Sequence, residues 1–199
     1  MVVRGPTLSL RLAREPDAEA LLELGSDPEV TRWFSWGPYR EIGEPLGYID
    51  SLAHQRERGE RLEFLIAGAD DRPIGVTGLA DFSSRDRRAT VGTWLGRAHW
   101  GTGANRESKA LVLALAFREL GLERVTALAS PDNERSLAAL ERIGFLREGC
   151  LRRWQLHRGE PRDCVILGLL RDEWEASGLA EVEISFEGEA PGAFYSQRK

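Results

Sequence analysis

The sequence predicts an α/β fold built on a mixed, mostly antiparallel central sheet that contains one parallel strand pair. Three observations carry this. Period-two runs at 63–67, 74–82 and 89–95 are separated only by the turn segments Asp70–Pro73 and Ser83–Arg87, the pattern of an antiparallel meander. Segment 89–129 then reads strand, helix, strand, and two strands joined through a covering helix lie parallel. Finally, no repeat or low-complexity linker interrupts the first 175 residues. At 199 residues the chain is therefore read as one domain, 1–175, followed by a C-terminal extension, 176–199.

The elements follow in order. Leu8–Leu12 alternates apolar and polar and reads as a strand. Glu15-Pro16-Asp17 opens a helix that Gly25 stops, with proline early, where its missing N–H costs little. Asp27-Pro28-Glu29 begins a second short helix, and residues 44–58 a third, ended by Gly59. Gly101-Thr102-Gly103 introduces a helix from about Arg106 to Leu120, apolar on most sides and so expected to pack deeply. Asp132-Asn133 caps a helix that runs to Ile143, with Gly144 as terminator. Segments 145–158 and 162–170 form a long hairpin. In the tail, Val182–Glu187 alternates and predicts an edge strand over 181–187, which can pair in its own chain or across a dimer. From Ala190 onward the chain is expected to fray.

Composition excludes several classes. Net charge of -5 and a pI near 5.4 argue against a nucleic-acid coat. The longest apolar run, Ala110–Phe117, is far too short to cross a membrane, and the start lacks a secretory core, so a cytoplasmic protein is expected. Cys150 and Cys164 match no metal spacing and read as buried thiols, and three scattered histidines make a metal cage unexpected.

Chemistry concentrates in Leu95–Glu107. A glycine loop between strand and helix lets bare N–H groups converge on an anion, and the helix N-terminus adds partial positive charge. The dinucleotide fingerprint fails because its third glycine is replaced by Arg106, and a Walker loop fails for want of Gly-Lys-Ser/Thr. Beside this, Trp33, Phe34, Trp36 and Tyr39 cluster next to Gly37-Pro38; they read either as a loop packed on the core or as a wall of a substrate pocket.

Trp100-Gly101-Thr102-Gly103-Ala104-Asn105-Arg106-Glu107 resembles the coenzyme A pyrophosphate loop of the GCN5-related N-acetyltransferases. It is most similar to the Trp-Gly-x-Gly-x-x-x-Glu of the branch containing the ribosomal-protein N-terminal acetyltransferases. Asp132–Ser136, with Ala139–Phe145 and Glu148-Gly149, resembles a second segment of that family, Asn-x-x-Ser followed by Glu-Lys-x-Gly-Phe-x-x-Glu-Gly. The resemblance covers roughly residues 8–172.

The resemblance implies a fold with helices on both sheet faces and a splayed parallel pair, 89–95 and 124–129. It also implies acetyl transfer from acetyl-CoA to a primary amine by direct attack in a ternary complex, with no metal. Coenzyme contacts fall on Trp94 and Leu95 of the strand, on Arg97, on the loop Trp100, Gly101, Thr102, Gly103, Ala104, Asn105 and Arg106, and on Asn133, which can also serve as a helix cap. Arg97 and Arg106 read equally as surface cations. Arg135 can reach phosphates or make an exposed salt bridge. Ser136 matches a serine sometimes assigned as the acid for the leaving thiolate, and reads equally as a residue that caps or packs in the first turn of its helix. The glutamate that related enzymes carry before the loop falls at Thr90, which cannot act as a base. Asp81 is taken as its replacement, ahead of Glu63 and His157, with a simple turn role as the alternative.

The acceptor is left open as a protein N-terminus, an amino acid or a small amine. A non-catalytic coenzyme A-binding module and an antibiotic-modifying enzyme are the rival readings. No nucleic acid or membrane partner is expected, and a homodimer is expected from the family and the tail strand.

Overall fold

A strand covered on both faces needs apolar side chains at consecutive positions, whereas an edge strand does not. Phe64-Leu65-Ile66-Ala67 is buried throughout, while nearly all of 146–157 is exposed. The computed structural model describes residues 1–195 and follows that logic. Its strands are β1 (Val2–Arg4), β2 (Ser9–Arg11), β3 (Arg61–Ala67), β4 (Pro73–Ser83), β5 (Arg88–Leu95), β6 (Arg124–Ala129), β7 (Leu146–His157), β8 (Glu160–Leu170) and β9 (Ser185–Glu187). They form one sheet in the order β7-β8-β6-β5-β4-β3-β2-β1-β9. Among the described residues only β5 and β6 pair in parallel, and the other pairs are antiparallel. The meander and the crossover are both present.

Helices α1 (Ala18–Gly25), α2 (Pro28–Thr31) and α3 (Gly43–Glu57) cover one face. There Leu21, Val30, Leu65, Val76 and Trp94 form a buried cluster. Helices α4 (Ala104–Ala114) and α5 (Glu134–Arg142) cover the other face, over the larger core that includes Phe64, Leu79, Val91, Val125 and Leu167. The predicted helix 106–120 ends its regular α-form at Ala114. Beyond it, Leu120 N–H donates to Leu115 O, an i→i+5 bond that widens the last turn. A short helix α6 (Arg171–Glu175) was not expected; it seats Trp174 against Phe117, with ring centroids 5.2 Å apart.

The termini differ most from expectation. Val2–Arg4 adds a strand with no sequence signal beyond Val3, which is wholly buried. The tail strand is shorter than 181–187. Only Ser185–Glu187 pairs, and it pairs with β1 of the same chain, tied by Arg4 Nε to Glu187 Oε1 at 2.6 Å. The expected fraying from Ala190 is corrected as far as Tyr195. Gly192–Phe194 makes a 3₁₀ turn, and Phe194 packs on Phe82 at 4.7 Å because a large aromatic gains more by burial than its ordering costs. The expectation for residues 196–199 lies outside the described residues. Cys164 is buried as expected, but Cys150 is exposed, since β7 is the outer edge of the sheet.

Glu107, the acid of the loop motif, faces away from the loop mouth. Its carboxylate accepts from Thr7 N–H (2.7 Å), Thr7 Oγ1 (2.5 Å) and Leu8 N–H (2.8 Å), fastening α4 to the start of β2. Glu107→Ala strands two backbone donors in a half-buried place. We expect urea unfolding to show a loss of about 2–3 kcal/mol; a change under about 0.5 kcal/mol would show the contacts to be replaced by water.

Candidate active site

The sheet opens where the parallel pair ends. β5 and β6 are in register from Arg88↔Arg124 to Val91↔Ala127 and no further, although β5 runs on to Leu95 and β6 to Ala129. On its other side β5 stays paired with β4 as far as Gly75↔Leu95. Gly92–Leu95 therefore presents main-chain groups to a wedge that no strand fills, and buried main-chain groups call for partners.

The loop lies at the open end of that wedge. Gly96 N–H donates to Ile74 O at 2.9 Å, so the chain leaves the sheet immediately after Leu95. Trp100 Nε1–H donates back to Leu95 O at 2.9 Å and pins the loop to the strand end. Gly101 and Gly103 both take positive φ, +75° and +94°, a conformation that costs other residues about 1–2 kcal/mol. A Cβ at either position would meet nothing within 4 Å. The glycines are thus required by backbone shape and leave open space above them. Gly103 is the N-cap of the eleven-residue α4, and no side chain caps it. The N–H groups of Gly101, Thr102 and Gly103 make no hydrogen bond among the described residues. Bare donors, the helix dipole and room for a guest together suit a pyrophosphate.

The cations sort themselves differently from the sequence reading. Arg97 leans on Asp27 at 3.8 Å. Arg106 is exposed, and its guanidinium reaches to within 3.9 Å of where a Cβ on Gly178 would stand, toward the tail. Like Arg106, Arg135 has no ion pair among the described residues. Its guanidinium lies 3.4 Å from the Trp100 ring centroid, and burial against the ring pulls its pKa down. Trp100, Arg135, Asn133, Arg32 and Trp33 line one cleft of about 240 Å³ between the loop and α5, which the acids Glu29, Asp132 and Glu134 also line. Asn133 caps α5, its Oδ1 accepting from Ser136 N–H at 3.2 Å, which leaves its amide NH₂ for a ligand. Both readings of Asn133 are compatible. Ser136 is half-buried on the same turn, and its hydroxyl makes no hydrogen bond among the described residues.

The opposite face of the wedge is aromatic. Trp36 stacks on Phe34 (5.4 Å) and Tyr39 (5.0 Å) and sets its edge against Trp94 of β5 (5.4 Å). Trp33 is the exception among the four aromatics: it turns to the cleft, with Arg32 over its ring at 5.0 Å. Tyr39 lies on Gly25, where a Cβ would stand 2.5 Å from its ring. Burial and the nearby Glu44 and Glu63 push its pKa up to about 12. Tyr48 Oη donates to Glu63 Oε2 at 2.5 Å, and burial, then Glu63, raise the Tyr48 phenol further. Both tyrosines are therefore neutral donors at ordinary pH.

Under β5, on the α4 side, sits a group that sequence reading missed. Lys109 is 4% exposed, and its ammonium donates to Thr93 Oγ1. Thr93 and Thr77 hydroxyls are 2.6 Å apart, and both reach the Gly92 carbonyl, at 2.8 and 3.1 Å. No acid is paired with Lys109 among the described residues, and burial lowers its pKa to about 7. Its sequence gives little signal, since Lys109 follows the polar run Asn105–Ser108 and stands just before the apolar run Ala110–Phe117.

These features are those of a known family. Residues 7–146 match the acetyltransferase (GNAT) domain. The chain belongs to the GNAT acetyltransferase family. It is 30% identical to an uncharacterised N-acetyltransferase, p20, of Bacillus licheniformis over 84% of this chain and 94% of that one. It is 28% identical to the [ribosomal protein uS5]-alanine N-acetyltransferase of Escherichia coli strain K12, over 84% and 89% of the two chains. The fold is also that of Mycobacterium smegmatis RimJ in complex with CoA-disulfide, with a TM-score of 0.82 at 22% identity, covering 90% of this chain and 92% of that one.

In this GNAT enzyme the base named from sequence is misplaced. Asp81 sits in the bulge between Ala80 and Ser83, exposed, at φ +52°. Ala80 pairs with Thr90, so Asp81 stands at the closed end of the parallel pair, on the far side of Thr90 from Gly92. The period-two count placed it on a strand, but the bulge that breaks the period was not legible. His157 is at the hairpin end of β7, paired with Glu160, remote from the wedge in register. Glu63 alone of the three acids and bases named lies on the aromatic face beside the wedge. No group of three or more His, Cys, Asp or Glu among the described residues is arranged to hold a metal. No helix among them is long and apolar enough to cross a membrane.

Proposed function

We propose that this N-acetyltransferase passes the acetyl group of acetyl-CoA directly to a primary amine while both substrates are bound. One observation carries the reading. The wedge beyond Val91↔Ala127 has an anion-binding loop at its mouth and an aromatic, glutamate-bearing pocket on one face. A thioester arm lying in the wedge can therefore be approached from that face by an amine.

The bare N–H groups of Gly101 to Gly103 and the start of α4, at Ala104 and Asn105, would hold the pyrophosphate, with Arg106 and Arg135 as the cations beside it that make no ion pair among the described residues. Main-chain groups of Trp94 and Leu95 and the Asn133 amide would hold the arm. Coenzyme A supplies a thioester, whose thiol leaves with modest help because thiol pKa values lie near 8.5. The free Ser136 hydroxyl is available to that sulfur. Catalysis is then chiefly positioning, which can contribute up to about 7–11 kcal/mol. The E. coli relative acts on the alanine of a ribosomal protein, which favours a peptide N-terminus among the acceptors; amino acids and small amines remain in the same reading. We place the enzyme in the cytoplasm. The tail strand is committed to β1, so a homodimer would form on the β7–β8 hairpin, where Trp154 and Leu156 are 57% and 64% exposed.

Calorimetric titration with acetyl-CoA should show saturable binding. A thiol-release assay should then give turnover that depends on an added amine, tested with a free-N-terminal alanyl peptide, free amino acids and polyamines. Folded protein that binds no acetyl-CoA would overturn the reading.

A further inference from the structure

We propose that Glu63 of β3 receives the acceptor's ammonium and takes up its proton, doing from two strands away what Thr90 of β5 cannot do. This deepens, and rests on, the amine-acetylating reading above.

The route from Glu63 to the wedge is cleared by two glycines in register. Glu63 pairs with Gly78 of β4, and Gly78 pairs with Gly92 of β5. At Gly78 a Cβ would stand 2.5 Å from Glu63 Cγ, so the glutamate side chain lies across that bare backbone. At Gly92 a Cβ would meet nothing within 4 Å. Gly92 is also the first β5 residue beyond the last parallel pair, Val91↔Ala127. Two inter-strand steps separate Glu63 from Gly92, about 10 Å between Cα atoms. A glutamate side chain covers part of that span, and the remainder is room for an amine nitrogen.

The surroundings suit an ammonium. The Glu63 side chain is 14% exposed, held by the Tyr48 hydroxyl at 2.5 Å from α3, with Arg61 Nε at 3.5 Å on its own strand. Tyr39 lies near enough to feel its charge, and β4 and β5 bring Gly78, Thr90 and Gly92, which carry no charge. The aromatic cluster of Trp36 and Trp94 shares this face, and ring faces attract cations. The pocket therefore selects a single ammonium joined to an apolar group.

The step balances. Glu63 carboxylate accepts one proton from R–NH₃⁺, and the freed lone pair forms the C–N bond to the thioester carbon. The C–S bond breaks, the sulfur keeps that electron pair and takes the second nitrogen proton, and Glu63 gives the proton it accepted to water. The products are R–NH–acetyl, the thiol and one H⁺.

The test compares wild type with Glu63→Gln, Glu63→Asp and Tyr48→Phe, using the alanyl peptide and amine panel above and acetyl-CoA titration in parallel. Glu63→Gln should bind acetyl-CoA as wild type does, yet lose about 100- to 1,000-fold in kcat with the amine and lose the acidic limb of the pH–rate profile. Glu63→Asp should restore part of the rate and the limb. Tyr48→Phe, which removes the hydroxyl that holds the carboxylate, should lower kcat with the amine several-fold while leaving acetyl-CoA binding unchanged. Glu63→Gln within about threefold of wild type, with an unchanged profile, overturns the proposal while leaving acetyl transfer intact. A wild type that binds acetyl-CoA but acetylates no amine in the panel overturns this proposal together with the acceptor reading it rests on.

Discussion

Gly103→Glu is expected to weaken acetyl-CoA binding by at least about 100-fold, since a like charge placed against a bound anion costs several kcal/mol. The position has φ +94° and sits at the N-cap of α4, with open space where the new side chain would emerge. The carboxylate would therefore occupy the anion's place and satisfy the same bare N–H groups. Gly103→Ala separates backbone from charge. It carries the same left-handed strain, about 1–2 kcal/mol against folding, without the carboxylate. Calorimetric titration should find Gly103→Ala within about tenfold of wild type and Gly103→Glu without measurable saturation. Equal losses in both would assign the effect to loop shape. Wild-type affinity in Gly103→Glu would remove the loop from the coenzyme site.

Lys109→Met is expected to make the protein more stable, by an amount that depends on pH. Burial depresses the Lys109 pKa from 10.5 to about 7, so below about 7 both folded and unfolded chains hold the proton, and the folded chain bears the full cost of an unpaired charge. Between about 7 and 10.5 the unfolded chain holds the proton and the folded chain does not, so wild-type stability rises with pH; above 10.5 the cost is gone. The displacement corresponds to an upper bound of about 4–5 kcal/mol. Methionine fills a similar volume and should recover about 2–4 kcal/mol at pH 6, the gain shrinking steadily toward pH 10. Urea unfolding of both proteins across that range measures it. A difference that stays constant with pH would mean that Lys109 is not buried as a titrating group.

The rank order of the elements was legible because it rests on local physics. Turn residues at 70–73 and 83–87 dictated the meander, and a helix between strands 89–95 and 124–129 dictated the parallel pair. The anion loop was legible for the same reason, since bare N–H groups at positive φ need glycine at 101 and 103 whatever surrounds them. Residues whose roles depend on distant partners were misread. Asp81 does lie on a strand, β4, but a bulge there turns it outward. Arg135, read as reaching phosphates or making an exposed salt bridge, makes no ion pair among the described residues and lies over Trp100, thirty-five positions away. Phe194 looked like part of a frayed end until Phe82 gave it somewhere to go.

By itself, then, the sequence determined the order of strands and helices from β2 to β8, the parallel crossover, the glycine loop and, through two short motifs, the family. Where Glu63 stands relative to Gly92, that Lys109 lies buried without an acid among the described residues, and that Arg97 but not Arg106 or Arg135 is paired there were decided only by the tertiary structure. Hydrogen-bond periodicity and turn chemistry act over a few residues. The register of β3, β4 and β5, by contrast, is set by long-range packing, which the chain acquires only when the sheet closes.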